Sequence, residues 1–206
     1  MPTTVAAPPQ TRSIPTLRDA AAKCRACPLW RTGTQTVFGE GSERAALLVV
    51  GEQPGDREDV EGHPFVGPAG RILDRALEAT GVPRDAVYIT NAVKHFKWEP
   101  RGKRRLHKTP AQREIEACLP WLEAEVAAVE PRVILCLGAT AARAVMGGKV
   151  RVNETRGQPI PSPLGKDVII TIHPAYILRL RSDMEEAFAL FVNDVMQAAK
   201  LAGFAT

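Results

Sequence analysis

Four short apolar, β-branched runs, each followed by a stretch of helical periodicity, predict an α/β protein. The expected form is a three-layer α/β/α sandwich around a central, mainly parallel four-stranded sheet. The runs cover 46–51, 87–91, 133–138 and 168–173, and each is nearly all apolar, as strands buried on both faces are. A chain of 206 residues buries roughly 70% of its unfolded surface as one domain, so no disulfide scaffold is needed.

Residues 1–15, MPTTVAAPPQTRSIP, are expected to be a disordered leader, and 16–206 a single domain. A short helix over 17–22 opens the domain. A longer one over 68–80 places Ile72, Leu73, Ala76 and Leu77 on one face and stops at Gly81 and Pro83. The next is expected from Thr109 to about Val129, with Thr109 as cap, Pro110 at the first helical position and Gln112 completing a capping box. Another follows Gly138. The last starts at Ser182, with Glu185 as box partner, and buries Phe188, Phe191 and Val195. Apolar runs fall far short of the roughly 20 residues of a membrane helix, and no export signal is visible, so a cytoplasmic protein without membrane association is expected.

The net charge of +4 conceals a patch. Between Lys94 and Lys108 seven Lys or Arg stand against Glu99 alone, a local +6 that leaves the rest of the chain at −2, and such a patch implies a polyanion. Conversely, Glu52, Asp56, Glu58, Asp59 and Glu61 surround a lone Arg57, which makes the glycines of that loop unfit to cradle a phosphate. Ligands of such sheets lie beyond the carboxyl ends of the strands, a rule that gathers 52–59, 91–107, Gly138 and 173–179 on one rim. Cys24-x-x-Cys27 points to metal or redox chemistry. Two further ligands are needed, and Cys118, His95, His107 and Cys136 are the candidates. Cys118 lies roughly 13 Å along a helix from Thr109, which separates it from His107, while Cys136 stands in an apolar strand, where a lone cysteine is usually a core residue.

Three segments carry a specific likeness: Gly51-Glu52-Gln53-Pro54-Gly55-Asp56 continued by His63-Pro64-Phe65-Val66-Gly67-Pro68-Ala69-Gly70, then Thr90-Asn91-Ala92-Val93-Lys94, and His173-Pro174-Ala175-Tyr176-Ile177-Leu178-Arg179. On them the chain resembles the iron-sulfur branch of the uracil-DNA glycosylase superfamily over nearly its whole length. The basic loop at about 97–108, with Lys103-Arg104-Arg105-Leu106-His107, further resembles the KRRIH loop of the X-type (UdgX-like) members, whose histidine becomes covalently joined to the abasic sugar.

The resemblance implies excision of uracil from DNA, single strands preferred, by a monomer. Asn91 would read the polar edge of the extruded base, Phe65 would stack on it with Gly51 alongside, and His173 would donate to a uracil oxygen. Glu52 would face the developing sugar cation, and Gln53 would position water or the sugar. Asp56 is a further catalytic candidate; alternatively Asp56 and Asp59 pair with Arg104 or Arg105 and hold the loop over the site. His107, neutral at pH 7 with an ordinary pKa of about 6.5, would attack the sugar and end the reaction after one turnover. The alternative is multiple-turnover hydrolysis with His107 only touching DNA. Lys94, Lys103, Arg104, Arg105 and Arg179 would bind phosphates and Leu178 would wedge into the gap left by the base. The metal set implied is Cys24, Cys27, His95 and Cys118 around a 4Fe-4S cluster, with His95 where the branch carries a cysteine; a zinc ion would use the same ligands.

Overall fold

Every residue of the strands Leu47–Gly51 and Val133–Leu137 is buried, and alternation along them divides their side chains between two cores. The computed structural model describes residues 3–205. Its strands are β1 (Glu40–Gly41), β2 (Leu47–Gly51), β3 (Tyr88–Asn91), β4 (Trp98–Arg101), β5 (Arg104–His107), β6 (Val133–Leu137), β7 (Pro159–Pro161) and β8 (Asp167–Thr171). Its helices are α1 (Ile14–Ala21), α2 (Asp56–Glu61), α3 (Pro68–Ala79), α4 (Gln112–Val129), α5 (Ala139–Met146), α6 (Val152–Thr155), α7 (Pro174–Ile177) and α8 (Met184–Ala202).

The main sheet runs β1-β3-β2-β6-β8-β7. Its four central strands are parallel, in register from Leu48↔Tyr88 through Leu48↔Ile134 to Ile134↔Val168. Leu48, Val50, Ile134, Cys136, Val168 and Ile170 pack with α1, α4 and α5, whereas Leu47, Val49, Leu135, Leu137 and Ile169 pack with α3 and α8. The sheet is wider than the four strands expected, because β1 and β7 add antiparallel edges. A two-residue strand and a Pro-Ile-Pro triplet carry no apolar run, and proline, lacking an N–H, is tolerated at an edge.

The basic segment is not a loop. It folds into a separate antiparallel hairpin, β4 with β5, in which Trp98 faces His107 and Arg101 faces Arg104. The leader is likewise not detached: Thr4 N–H donates to Ala26 O at 2.7 Å, Ala6 N–H donates to Ala117 O at 2.9 Å, and Ala6 is buried in the first core. Residues 1 and 2 of that leader, and Thr206 at the other end of the expected domain, lie outside the described residues.

Three helix starts differ from expectation. Helix α1 begins at Ile14 rather than at Leu17, because the Ser13 hydroxyl caps it by accepting Thr16 N–H at 3.3 Å. Helix α4 begins at Gln112 after Ala111, because Glu114 reaches back to accept Ala111 N–H at 2.6 Å while also holding Lys97 Nζ at 2.9 Å. Helix α8 begins at Met184, with Asp183 in the left-handed region and the Ser182 hydroxyl turned to Asp183 Oδ2 at 3.0 Å. Phe191 and Val195 are fully buried there, whereas Phe188 is half-buried beneath Arg75, whose guanidinium lies 4.5 Å from the ring centre. Among the described residues no helix is long and apolar enough to cross a membrane.

Lys94, expected to meet DNA, is buried. Its Nζ donates to Glu125 Oε2 at 2.5 Å, to Thr90 Oγ1 at 2.7 Å and to the Asn91 carbonyl at 2.7 Å. Glu125, fully buried, also accepts from Gly39 N–H, Tyr88 Oη and Thr90 Oγ1. Removing one member of such a pair leaves an uncompensated charge in the core. Glu125→Ala should therefore lower the free energy of unfolding by about 3–5 kcal/mol, read from urea denaturation curves.

Candidate active site

The carboxyl end of β3 delivers Asn91 to a cleft of about 730 Å³, with Gly51 of β2 beside it in the ladder. Asn91 is 2% exposed, and among the described residues its Oδ1 is a buried acceptor with no partner. A Cβ on Gly51 would stand 2.3 Å from that oxygen and 2.6 Å from Phe65 Cζ, so only glycine lets the two side chains close over the strand end. Phe65 occupies the left-handed region at φ 56°, and its carbonyl lies 1.8 Å from where a Gly70 Cβ would be. Glu58 holds the loop in this shape by accepting Gly67 N–H at 2.8 Å, and Arg84 donates to the Pro64 and Phe65 carbonyls.

His173 closes the third side. Its ring centre is 6.2 Å from that of Phe65, and its Cβ packs against Gly138. Nδ1 accepts Ala175 N–H at 3.1 Å at the start of α7, so the neutral ring carries its proton on Nε2. Burial lowers the His173 pKa to about 4, and His107 and Arg179 nearby push in the same direction. An unpaired acceptor, an aromatic face and a neutral imidazole N–H thus converge on one small space.

Glu52 follows β2 and accepts a hydrogen bond from Thr140 Oγ1 in the first turn of α5. Its Oε1 lies 3.4 Å from His107 Nε2 across the cleft mouth. Burial holds the His107 imidazolium below the usual histidine range; Glu52 opposes that shift and Arg179 adds to it. Leu178 and Arg179 line the same cleft, and Leu178 is 43% exposed.

The hairpin carrying His107 is fastened from beneath. Gln53, expected to position water or sugar, instead spends its amide on the hairpin base: Nε2 donates to the Lys97 and Lys108 carbonyls and Oε1 accepts Lys97 N–H. Arg105, expected at the DNA, instead turns inward to Asp59 Oδ2 and Asp56 Oδ1, both at 2.6 Å. Asp59 is completely buried and accepts Thr34 N–H and Oγ1 as well. Of the two arginines weighed as partners for the acids, Arg105 is the one that pairs; Lys103 and Arg104 remain exposed. Thr34, Arg84 and Thr140 escaped the sequence reading, because nothing in their neighbours marks a threonine or arginine that bonds across 20 or more positions.

Cys24, Cys27, His95 and Cys118 line a second, small void together with Thr36 and Trp121, while Cys136 lies within the sheet core. Trp121 Nε1–H donates to Cys24 Sγ at 3.2 Å and Lys94 N–H to Cys118 Sγ at 3.3 Å, the bonds that stabilise metal-bound thiolates. Burial pushes the Cys118 thiol up to about 12 and raises Cys27, so a positive centre is needed to draw off their protons. His95 is buried, with its pKa lowered to about 4 by burial, and is therefore neutral as a ligand must be. Among the described residues no three such side chains converge as closely as a single metal ion demands. Three thiols and a neutral imidazole around one void are donors suited to iron or zinc.

The family model for the uracil DNA glycosylase superfamily matches residues 38–197. The chain is 42% identical over 181 residues to a protein of Thermotoga maritima named type-4 uracil-DNA glycosylase, covering 87% of this chain and 90% of that one. A type-4 uracil-DNA glycosylase of Pyrobaculum aerophilum is 36% identical over 185 residues, covering 85% and 91% of the two chains. One of Sulfurisphaera tokodaii is 35% identical over 187 residues, covering 85% and 82%.

The cleft geometry has a pH signature. His173 takes up a proton more readily in the unfolded chain, at about 6.5, than in the fold, at about 4. The unfolded state therefore binds more protons between those values, and the stability that the neutral ring contributes is lost as pH falls through the window. An NMR titration should place the His173 midpoint near 4, and urea unfolding should show a weaker dependence on pH in His173→Gln.

Proposed function

The chain belongs to the uracil-DNA glycosylase superfamily, and from that premise we propose that it excises uracil from DNA. The orphaned acceptor of Asn91 is the observation that carries this reading. Uracil presents an imide N–H beside a carbonyl, so Asn91 Oδ1 takes the N–H while its amide N–H₂ donates to the oxygen. Cytosine places a lone pair at the same position, leaves Oδ1 unpaired and is rejected. Phe65 stacks on the ring, and the His173 Nε2–H donates to the carbonyl oxygen on which charge gathers as the glycosidic bond breaks. Glu52, anchored by Thr140, faces the positive charge left on the sugar and orients the water that attacks it. Arg104, Lys103 and Arg179 meet phosphates and Leu178 fills the space vacated by the base. Single strands are the preferred substrate, since no pairing need be broken to extrude the base.

The curated relatives, by their names, support an ordinary hydrolase that turns over. A second reading is favoured by one observation: the His107 imidazole, kept neutral by its surroundings, stands at the cleft mouth against Glu52. In that reading the bond from sugar to uracil breaks with its electron pair leaving on the base. A ring nitrogen of His107 then bonds to the sugar carbon, and the proton on its other nitrogen departs. The N-alkylated imidazole resists hydrolysis, so each molecule acts once, as in X-type members.

Cys24, Cys27, His95 and Cys118 would hold a 4Fe-4S cluster. Such a cluster would supply a cross-link that ties the N-terminal segment to α4 and to the chain leaving β3.

Asn91→Ala should lose uracil excision by at least about 100-fold while still binding DNA, in a gel assay with a uracil-containing oligonucleotide. On a denaturing gel, a detergent-resistant band at the summed mass of protein and DNA, absent in His107→Ser, establishes the self-trapping reading; alkali-labile product without that band establishes turnover. Iron content and visible absorbance should be lost in Cys118→Ser and retained in Cys136→Ala.

A further inference from the structure

The turn Pro28–Arg31 follows Cys27 and abuts the hairpin: Trp98 Nε1–H donates to the Thr32 carbonyl at 2.8 Å and Arg105 Nη1 to Thr34 Oγ1 at 3.2 Å. Trp98 is the residue opposite His107 in the β4–β5 ladder, so this contact lies one strand away from the cleft mouth. On the turn, half-buried Trp30 holds two guanidinium groups. Arg25 lies 4.3 Å and Arg31 5.4 Å from its ring centre. Both arginines are exposed, and among the described residues neither has an acidic partner. Arg57 and Arg105 differ, since each is committed to a carboxylate. An arginine stacked on an aromatic face loses little freedom when it binds an anion, and its donors stay available because the ring uses none of them.

We propose that Arg25 and Arg31, displayed on Trp30, form a second phosphate-binding station for the DNA strand whose base occupies the cleft. The strand leaves the cleft over the base of the hairpin and reaches the turn beside the two-cysteine segment. The chemistry recognised is a phosphodiester backbone of any sequence, because the groups on offer are two guanidinium cations, which pair with phosphate. The proposal rests on uracil excision from DNA as the function of the cleft.

Its test separates the two. Binding of the full chain to uracil-free single-stranded oligonucleotides of about 5 and about 15 nucleotides is followed by fluorescence anisotropy over a range of salt. Arg25→Ala/Arg31→Ala should flatten the dependence of log affinity on log salt by about 1.4 for the long oligonucleotide, two phosphate contacts at about 0.7 each, and leave the short one unchanged. Arg31→Ala alone, outside the two-cysteine segment, should produce half of that change. An unaltered slope in both variants, or equal losses for short and long oligonucleotides, overturns the station. Excision from the short oligonucleotide carrying one uracil should be the same in wild type and variants. A wild type that binds with the expected slope yet releases no uracil overturns the catalytic reading and leaves the station standing.

Discussion

The buried pair of Lys94 and Glu125 is the point through which sheet, cleft and cysteine cluster are joined. Lys94 Nζ bonds the Asn91 carbonyl and Thr90 at the end of β3, and through Glu125 it reaches α4, the loop at Gly39 and Tyr88. Its own backbone N–H turns the other way, to Cys118 Sγ. A charge of this kind is tolerated in a core only when every donor finds an acceptor, and three acceptors are present for the three protons of the ammonium. The chain leaving β3 is thereby held at both ends of one residue. Asn91 faces the cleft just before it and His95 faces the cysteines just after it.

A second set of charges organises the cleft mouth. The acidic stretch around α2 receives Arg105, with buried Asp59 supplying the fixed anchor and exposed Asp56 the outer one. Gln53 completes the fastening without any charge, by bonding both backbone stems of the hairpin. Glu52 is spared from this work and remains turned toward His107. Opposite charges from two separate segments thus sort into those that build the site and those left facing solvent.

The strands were legible in the sequence because burial on both faces leaves an unbroken apolar run, visible in Leu47–Gly51 and Val133–Leu137. The cleft residues Asn91, Phe65, Glu52 and His173 were legible for a different reason, the family motifs they stand in, with Glu52, Asn91 and His173 also following strands. Lys94 was misread because a lysine near a basic run looks solvated, and its burial depends on Glu125, which stands 31 positions away. Arg105 was legible in one of its two readings, the pairing with Asp56 and Asp59, whereas Gln53 lies in a motif beside catalytic candidates and its partners are set by how the hairpin folds back. The edge strands β1 and β7 carry too few residues for periodicity to appear at all. Local pattern therefore reveals elements and clusters, whereas the direction in which a long polar side chain turns is decided by tertiary partners.

The hairpin of β4 and β5 shares no ladder with the main sheet; side chains alone fasten it to the body. Such an attachment makes the segment 97–108 an interchangeable part. It can be gained, lost or replaced between two fixed points of the scaffold while the strands beneath keep their pairing, so descendants of one ancestral domain can diverge in what stands at the mouth of the cleft without first solving a new folding problem.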